Sequence, residues 1–291
     1  MPYKLITDIT TDLNVKMAES LDIEMIAMPL EISGVIGDDE NHQTITSQRF
    51  YKIMDEGATV KTSQINPITY KIVFEKYLKQ GLDILYIGFS SGLSGSVNNS
   101  ILVANELMSE YPERKIICID SLCASSGEGL LVYTAAMHKM QGMPIETLSN
   151  WVFEHRLKIR SIFTVEDLKF LHRGGRISAS TAVLGTMVNV KPLLSVREDG
   201  TLYGYSKVRG YKKAIATMAE HMTKQWRPAM GHQVFISHAD CVDFAVHLGD
   251  LIKEYDNKAE IFLHDLGPVI GAHTGPGTVA LFFWGEDRKL L

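Results

Sequence analysis

Hydroxyl- and glycine-rich stretches recur in this chain where predicted β-strands end. Asp8-Ile9-Thr10-Thr11-Asp12-Leu13 follows the first strand, and Lys61-Thr62-Ser63-Gln64 leads into a helix starting near Pro67. Phe89-Ser90-Ser91-Gly92-Leu93-Ser94-Gly95-Ser96 follows another strand and opens the next helix; Ser121 and Ser125-Ser126-Gly127-Glu128-Gly129 follow a fourth. Open α/β sheets place their ligand sites at the carboxyl ends of strands. Hydroxyls and the free N–H groups of helix N-termini favour negative charge there. A carboxylate held by two or three such donors gains charge-assisted hydrogen bonds without any lysine or arginine. In any single stretch the same residues serve as helix caps and turns; their convergence on one sheet edge is what points to an anion.

Gly88-Phe89-Ser90-Ser91-Gly92 also has the G-x-S-x-G spacing of a nucleophile elbow, between a strand and a helix as that motif demands, so an esterase or acyltransferase using Ser90 is the enzymatic alternative. Against it, the small-residue run continues through Leu93-Ser94-Gly95-Ser96, and no Asp or His is singled out to complete a triad. A small phosphorylated metabolite is a third occupant for the same N–H-rich loops. No G-x-x-x-x-G-K-[ST] occurs and no G-x-G-x-x-G follows a strand, which argues against nucleotide hydrolysis. Cys118, Cys123 and Cys241 are odd in number and have no zinc-ligand spacing, and His232 with His238 is a weak match to a finger. No metal or cofactor is implied.

Further motifs lie in the second half. In Lys169-Phe170-Leu171-His172-Arg173-Gly174-Gly175-Arg176-Ile177-Ser178, a helix from Val165 is expected to end at the paired glycines before another begins. Lys191-Pro192 and the basic Lys207-Val208-Arg209-Gly210-Tyr211-Lys212-Lys213 follow, the latter reading as a solvated helix start. The run from Gly267 to Thr278, containing His273-Thr274-Gly275-Pro276-Gly277, reads as a loop shaped around something.

The elements that must position these stretches are legible in the periodicity. Strands are predicted at Tyr3 to Thr7, Glu24 to Ile32, Ile84 to Gly88 and Lys115 to Asp120. Between them, Tyr70, Val73, Phe74, Tyr77 and Leu78 mark one sheet-covering helix, and Val97, Ile101, Ala104 and Met108 another. Strands alternating with helices predict a parallel α/β sheet. Near residue 157 the pattern changes to hairpin-like runs, Leu193 to Val196 and Leu202 to Val208 around Glu198-Asp199-Gly200, with helices near Tyr211 to Met222 and Phe244 to Tyr255. A largely antiparallel α+β domain is expected there.

With 291 residues and 45% hydrophobic composition, two compact units are the prior. A net charge of -5 lacks the basic excess that nucleic acid requires. Met1 runs directly into a predicted strand with no export signal, and the cysteine usage suits a reducing compartment, so a cytoplasmic location is expected. The uncharged run from Leu266 to Gly285 contains two prolines and several glycines, which fits a buried loop and strand better than a membrane span.

Taken in order, the Asp8 to Leu13 loop, Thr62-Ser63-Gln64, Ser90-Ser91-Gly92-Leu93-Ser94-Gly95, Asp120-Ser121, Gly174-Gly175-Arg176-Ile177-Ser178, Lys191-Pro192 and His273-Thr274-Gly275-Pro276-Gly277 resemble the DegV family of bacterial lipid-binding proteins along nearly the whole chain. The resemblance implies a long-chain fatty acid in a tunnel between two domains. Residues 1–157 would hold the head group and 158–291 would cover the acyl chain. It implies that Thr62 and Ser94 hydrogen-bond the carboxylate, with His273 beside it. In one branch the family looks like the fatty-acid-binding subunit of a bacterial fatty acid kinase, a carrier and not an enzyme by itself. Its acid is phosphorylated by a partner subunit for phospholipid synthesis, with transient membrane contact possible; Arg209 then has a partner or phosphoryl-side role. The chain departs from the family pattern at Ile9 (usually Ser), Ile65-Asn66 (Pro-Ser) and Ser96-Val97 (Thr-Tyr), all flanking the implied head-group site.

Overall fold

A computed structural model describes residues 2–33, 45–178 and 189–288. Its first half runs β1 (Tyr3–Asp8), α1 (Val15–Ser20), β2 (Ile23–Ile26), β3 (Leu30–Ser33), α2 (Ser47–Asp55), β4 (Thr59–Thr62), α3 (Pro67–Leu78), β5 (Asp83–Gly88), α4 (Ser96–Glu110), β6 (Ile116–Asp120), α5 (Ser126–Met140) and α6 (Ile145–His155). The second half runs β7 (Ile159–Thr164), α7 (Lys169–Arg173), β8 (Val190–Val196), β9 (Leu202–Arg209), α8 (Tyr211–Gln225), β10 (Gln233–His238), α9 (Val242–Tyr255), β11 (Glu260–Asp265), α10 (Pro268–Thr274) and β12 (Val279–Trp284).

The fold is the expected one, a parallel α/β sheet followed by a largely antiparallel sheet with helices. Strands β2-β1-β5-β6 form a parallel sheet, with Leu5 level with both Ile23 and Leu85. The second sheet has the order β11-β10-β12-β7-β8-β9, antiparallel except where β10 and β11 run parallel through the α9 crossover. β3 and β4 make a separate antiparallel ribbon.

Local chemistry sets the helix starts. Asn66 accepts the N–H of Thr69 at 2.9 Å and Pro67 occupies the first turn, so α3 begins immediately after the Thr62-Ser63-Gln64 stretch. Tyr70, Phe74, Tyr77 and Leu78 are buried as the periodicity requires. On α4 the buried arc runs through Val97, Ser100, Ala104 and Leu107, which puts Ile101 and Met108, expected to be core, at its exposed border.

Three local expectations are corrected. The strand expected over Glu24 to Ile32 is two strands in different sheets, because Pro29 has no N–H to continue a ladder and its carbonyl accepts Ser63 N–H at 3.1 Å. The helix expected from Val165 starts only at Lys169, after Asp167 captures the Lys169 N–H at 2.8 Å in a turn; the helix expected beyond Ser178 falls outside the described residues. The Gly267 to Thr278 run is not all loop, for Pro268–Thr274 form α10 and the chain turns at Gly275.

The core is continuous across the two sheets. Leu5 and Leu85 of the first, Phe235 and Phe282 of the second, and Leu130, Leu131 and Ala135 of α5 belong to one apolar cluster. Ser126 to Val132, the first two turns of α5, are buried on every side. Asp12 adds a polar tie between the halves: its carboxylate accepts the Gly267 N–H at 2.9 Å, at the start of α10, and the Ser125 hydroxyl.

Burial pushes the Asp12 carboxyl up from its ordinary 3.8 to about 7, with the Ser125 and Gly267 hydrogen bonds pulling down and the Asp265 and Asp8 carboxylates pushing up. The unfolded chain therefore loses this proton near 3.8 while the folded chain keeps it to about 7. The contribution of Asp12 to stability falls as pH rises through that window and is constant above it. Thermal unfolding across pH 4 to 8 should show a smaller loss of stability with rising pH in Asp12→Asn than in the parent; an unchanged slope would remove Asp12 as its source.

Candidate functional site

A cavity of about 470 Å³ lies between the two sheets, bounded by the β4–α3 and β5–α4 loops on one side and by β7, β12 and α10 on the other. That volume is within the ~300–1,000 Å³ range of small-molecule sites. Ser63, Gln64, Ser91 and Gly92 line it and are exposed, so they mark its mouth. Its inner wall is mainly apolar, with Phe163, Leu171, Leu266, Ile270, Ala280 and Phe282, and carries the hydroxyls of Ser125, Ser161, Thr274 and Thr278 among them.

Thr62, the last residue of β4, meets His273 in the last turn of α10, with Thr62 Oγ1 2.7 Å from His273 Nε2. Burial, then the neighbouring positive charges of Arg176 and Arg173, push the imidazole down to about 4, so it is neutral at pH 7. Its Nδ1 is buried without a partner among the described residues. An unpaired N–H there would be the costlier tautomer, so we place the proton on Nε2, donating to Thr62. The Thr62 hydroxyl proton is then free for an anion in the cavity. Gly174 makes room for the ring: a Cβ there would stand 2.3 Å from Nδ1.

Ser94 reaches the same cavity through a relay. Ser96 Oγ accepts the Ile65 N–H at 3.1 Å and lies 2.9 Å from Ser94 Oγ. Ser94 Oγ also accepts the Ser96 N–H at 3.3 Å, and either hydroxyl can donate in the bond between the two; with Ser96 donating, the Ser94 proton is left for a ligand. Arg176 completes the polar end. Its Nε and Nη2 donate to the Leu93 carbonyl at 3.1 and 2.9 Å and its Nη1 to that of Gly174. Burial lowers its pKa, yet a guanidinium stays protonated, and no carboxylate pairs with it among the described residues. One positive charge without a carboxylate partner among the described residues and the hydroxyls of Thr62 and Ser94 are therefore gathered at one end of the cavity.

Thr62, Ser94 and His273 are thus brought to one cavity, whereas Arg209 is exposed at the end of β9 and does not line it. Ser90 is wholly buried, donates to the Gly200 carbonyl at 3.0 Å and accepts the Gly92 N–H at 3.2 Å. The hairpin turn presses on it so closely that a Cβ at Gly200 would lie 2.0 Å from its Oγ. Among the described residues no histidine hydrogen-bonds Ser90, and its burial denies the access a nucleophile needs. Asp8, too, faces inward: its carboxylate accepts Tyr86 hydroxyl at 2.9 Å and Phe89 N–H at 3.2 Å. Among the described residues, no cluster of three His, Cys, Asp or Glu is placed to hold a metal. No described helix is long and apolar enough to cross a membrane.

Comparison with known proteins agrees with this architecture. A family model described as "Uncharacterised protein, DegV family" matches residues 2–286. The chain belongs to the DegV family. It is 37% identical to a DegV domain-containing protein of Clostridium perfringens over 287 residues, 99% of each chain. Among solved structures it is similar to a fatty-acid-binding DegV family protein from Thermus thermophilus, with a TM-score of 0.84 and 28% identity over 98% of this chain and 100% of that one. A DegV family protein from Ruminococcus gnavus, solved with vaccenic acid, has a TM-score of 0.84 and 25% identity over 96% and 99% of the two chains.

Sequence motifs assign no role to two side chains at or behind the polar end of this DegV cavity, Arg176 and Ser96. Arg176 stood inside the Gly174-Gly175-Arg176 motif, where the glycines drew attention as helix terminators. Ser96 closes the hydroxyl-rich stretch after β5 and departs from the family pattern there; its Oγ lies 2.9 Å from that of Ser94. Gly174→Ala should displace His273 and weaken ligand retention about tenfold or more, with little change in melting temperature. Retention equal to the parent would show that the imidazole does not position Thr62.

Proposed function

We propose that this DegV protein binds one long-chain fatty acid, its carboxylate hydrogen-bonded by Thr62 and Ser94 with His273 and Arg176 around it and its tail along the apolar wall. The observation that carries this reading is the division of one cavity into a donor-rich end and an apolar interior. The fatty acids bound by the Thermus and Ruminococcus proteins support it. Each CH₂ removed from water contributes about 0.8 kcal/mol, so the tail supplies most of the affinity while the head group fixes orientation. In this reading residues 1–157 bring Thr62 and Ser94 to the head group, while residues 158–291 add His273 and Arg176 there and cover the chain.

Organic extraction of the purified protein, analysed by mass spectrometry, should yield a stoichiometric free fatty acid. Thr62→Ala and Ser94→Ala should each weaken its binding by roughly 1 to 3 kcal/mol, the cost of leaving a charged group short of a donor. Unchanged affinity in both would remove the site assignment, and absence of any lipid would favour a small anion.

We further infer that the protein is not an enzyme by itself but a cytoplasmic carrier presenting its acid to a kinase subunit, which makes the acyl phosphate used in phospholipid synthesis. The resemblance to fatty acid kinase carriers supports this, and the exposed position of Arg209 outside the cavity suits contact with a partner better than contact with the ligand. Arg209→Ala should bind fatty acid normally yet lower acyl phosphate formation with the kinase present. Full activity would sink that role.

A further inference from the structure

Ser161, on β7, lines the cavity, is 2% exposed, and its Oγ has no hydrogen-bond partner among the described residues. The other buried hydroxyls of the inner wall are engaged. Thr274 donates to the Ile270 carbonyl at 3.3 Å, Thr278 to that of Gly275 at 3.0 Å, and Ser125 to Asp12. Ser161 lies instead in apolar company. Phe282 is its register partner on β12, and Phe163 and Ala280 share the cavity wall with it. Across the gap stands the first turn of α5, where a Cβ at Gly127 would come to 3.4 Å from Ser161 Oγ and 2.8 Å from the Phe282 ring. The helix thus presents no side chain at this point that could accept the hydroxyl proton.

A buried hydroxyl without a partner is unfavourable, and alanine would occupy the same strand position without that cost. A water molecule is a poorer remedy, because a buried water needs two to four polar partners, Phe163, Ala280 and Phe282 offer none, and the hydroxyls of Ser125, Thr274 and Thr278 already donate elsewhere. An oxygen carried on the ligand needs only this one, since the rest of the chain already anchors it.

Resting on the fatty-acid reading above, we propose that Ser161 is a second polar station within the cavity, hydrogen-bonding an oxygen on the acyl chain, so that the preferred cargo is a hydroxy- or oxo-fatty acid. Thr62 and Ser94 hold the carboxylate near the exposed mouth loops, and the chain runs inward along β7 and β12. Its oxygen accepts the Ser161 proton where the plain methylene chain would leave that proton unpaired. Ser161 is then a selectivity residue, distinct from the groups that hold the carboxylate.

The test uses delipidated full-length protein and four probes: octadecanoic acid and its monohydroxy derivatives with the hydroxyl near the carboxylate, at mid-chain and near the methyl end. Dissociation constants are measured for the parent and for Ser161→Ala, with thermal unfolding to verify that the variant is folded. The parent should bind one hydroxy isomer about three- to tenfold more tightly than the plain acid, the range of one net hydrogen bond. Ser161→Ala should lose that preference and bind the plain acid more tightly, because an apolar wall replaces an unpaired hydroxyl. Equal binding of all four probes by the parent, or a preference that survives in Ser161→Ala, overturns the station. If the parent binds none of the four, the fatty-acid reading falls with it; if it binds the plain acid without discrimination, only the station falls.

Discussion

The hydrogen bond between Thr62 and His273 joins residues 211 positions apart, and the parts of the molecule that hold its two ends explain much of the architecture around the cavity. On one side, β4 must leave its ribbon with Thr62 at its tip. On the other, α10 must begin where Asp12 receives the Gly267 N–H and must carry His273 in its last turn. The imidazole must remain neutral, which burial beside two arginines ensures, and Gly174 must leave space for the ring. A change at any of these points would alter the direction of one hydroxyl proton.

Among the described residues, no lysine lines the polar end. An ammonium in this partly enclosed place would be strongly hydrated and mobile, whereas a guanidinium tied to the carbonyls of Leu93 and Gly174 is fixed in orientation and already partly desolvated. Hydroxyls held by Ser96 and His273 add short-range donors without further charge. In the proposed reading such a site would attract an anion at little cost in desolvation and leave discrimination between ligands to the shape and polarity of the deeper wall.

Much of this was legible in the sequence, for reasons that differ between elements. The parallel sheet followed from alternating strand and helix periods, and the loops at strand ends followed from Ser, Thr and Gly density; Thr62, Ser94 and His273 then came from motif resemblance. What was not legible depended on long-range pairing. Pro29 splits an apolar run between two sheets, a division visible only once Ser63 is seen to bond its carbonyl. Ser90 matched a nucleophile elbow by spacing, but a hairpin turn 110 residues away covers it. Ile101 and Met108 matched a helical stripe, yet the buried arc of α4 is set by its sheet and by α3. Ser161 carries no local pattern at all, because its interest lies in lacking a partner.

The first two turns of α5 have no face to give to water, since the parallel sheet packs on one side of them and the mixed sheet on the other. The chain can therefore be divided on paper between α6 and β7, but neither piece could be inherited, exchanged or duplicated alone without stranding an apolar helix. The two sheets are thus one packing unit, and a change to the cavity that keeps this helix buried falls on side chains and loops.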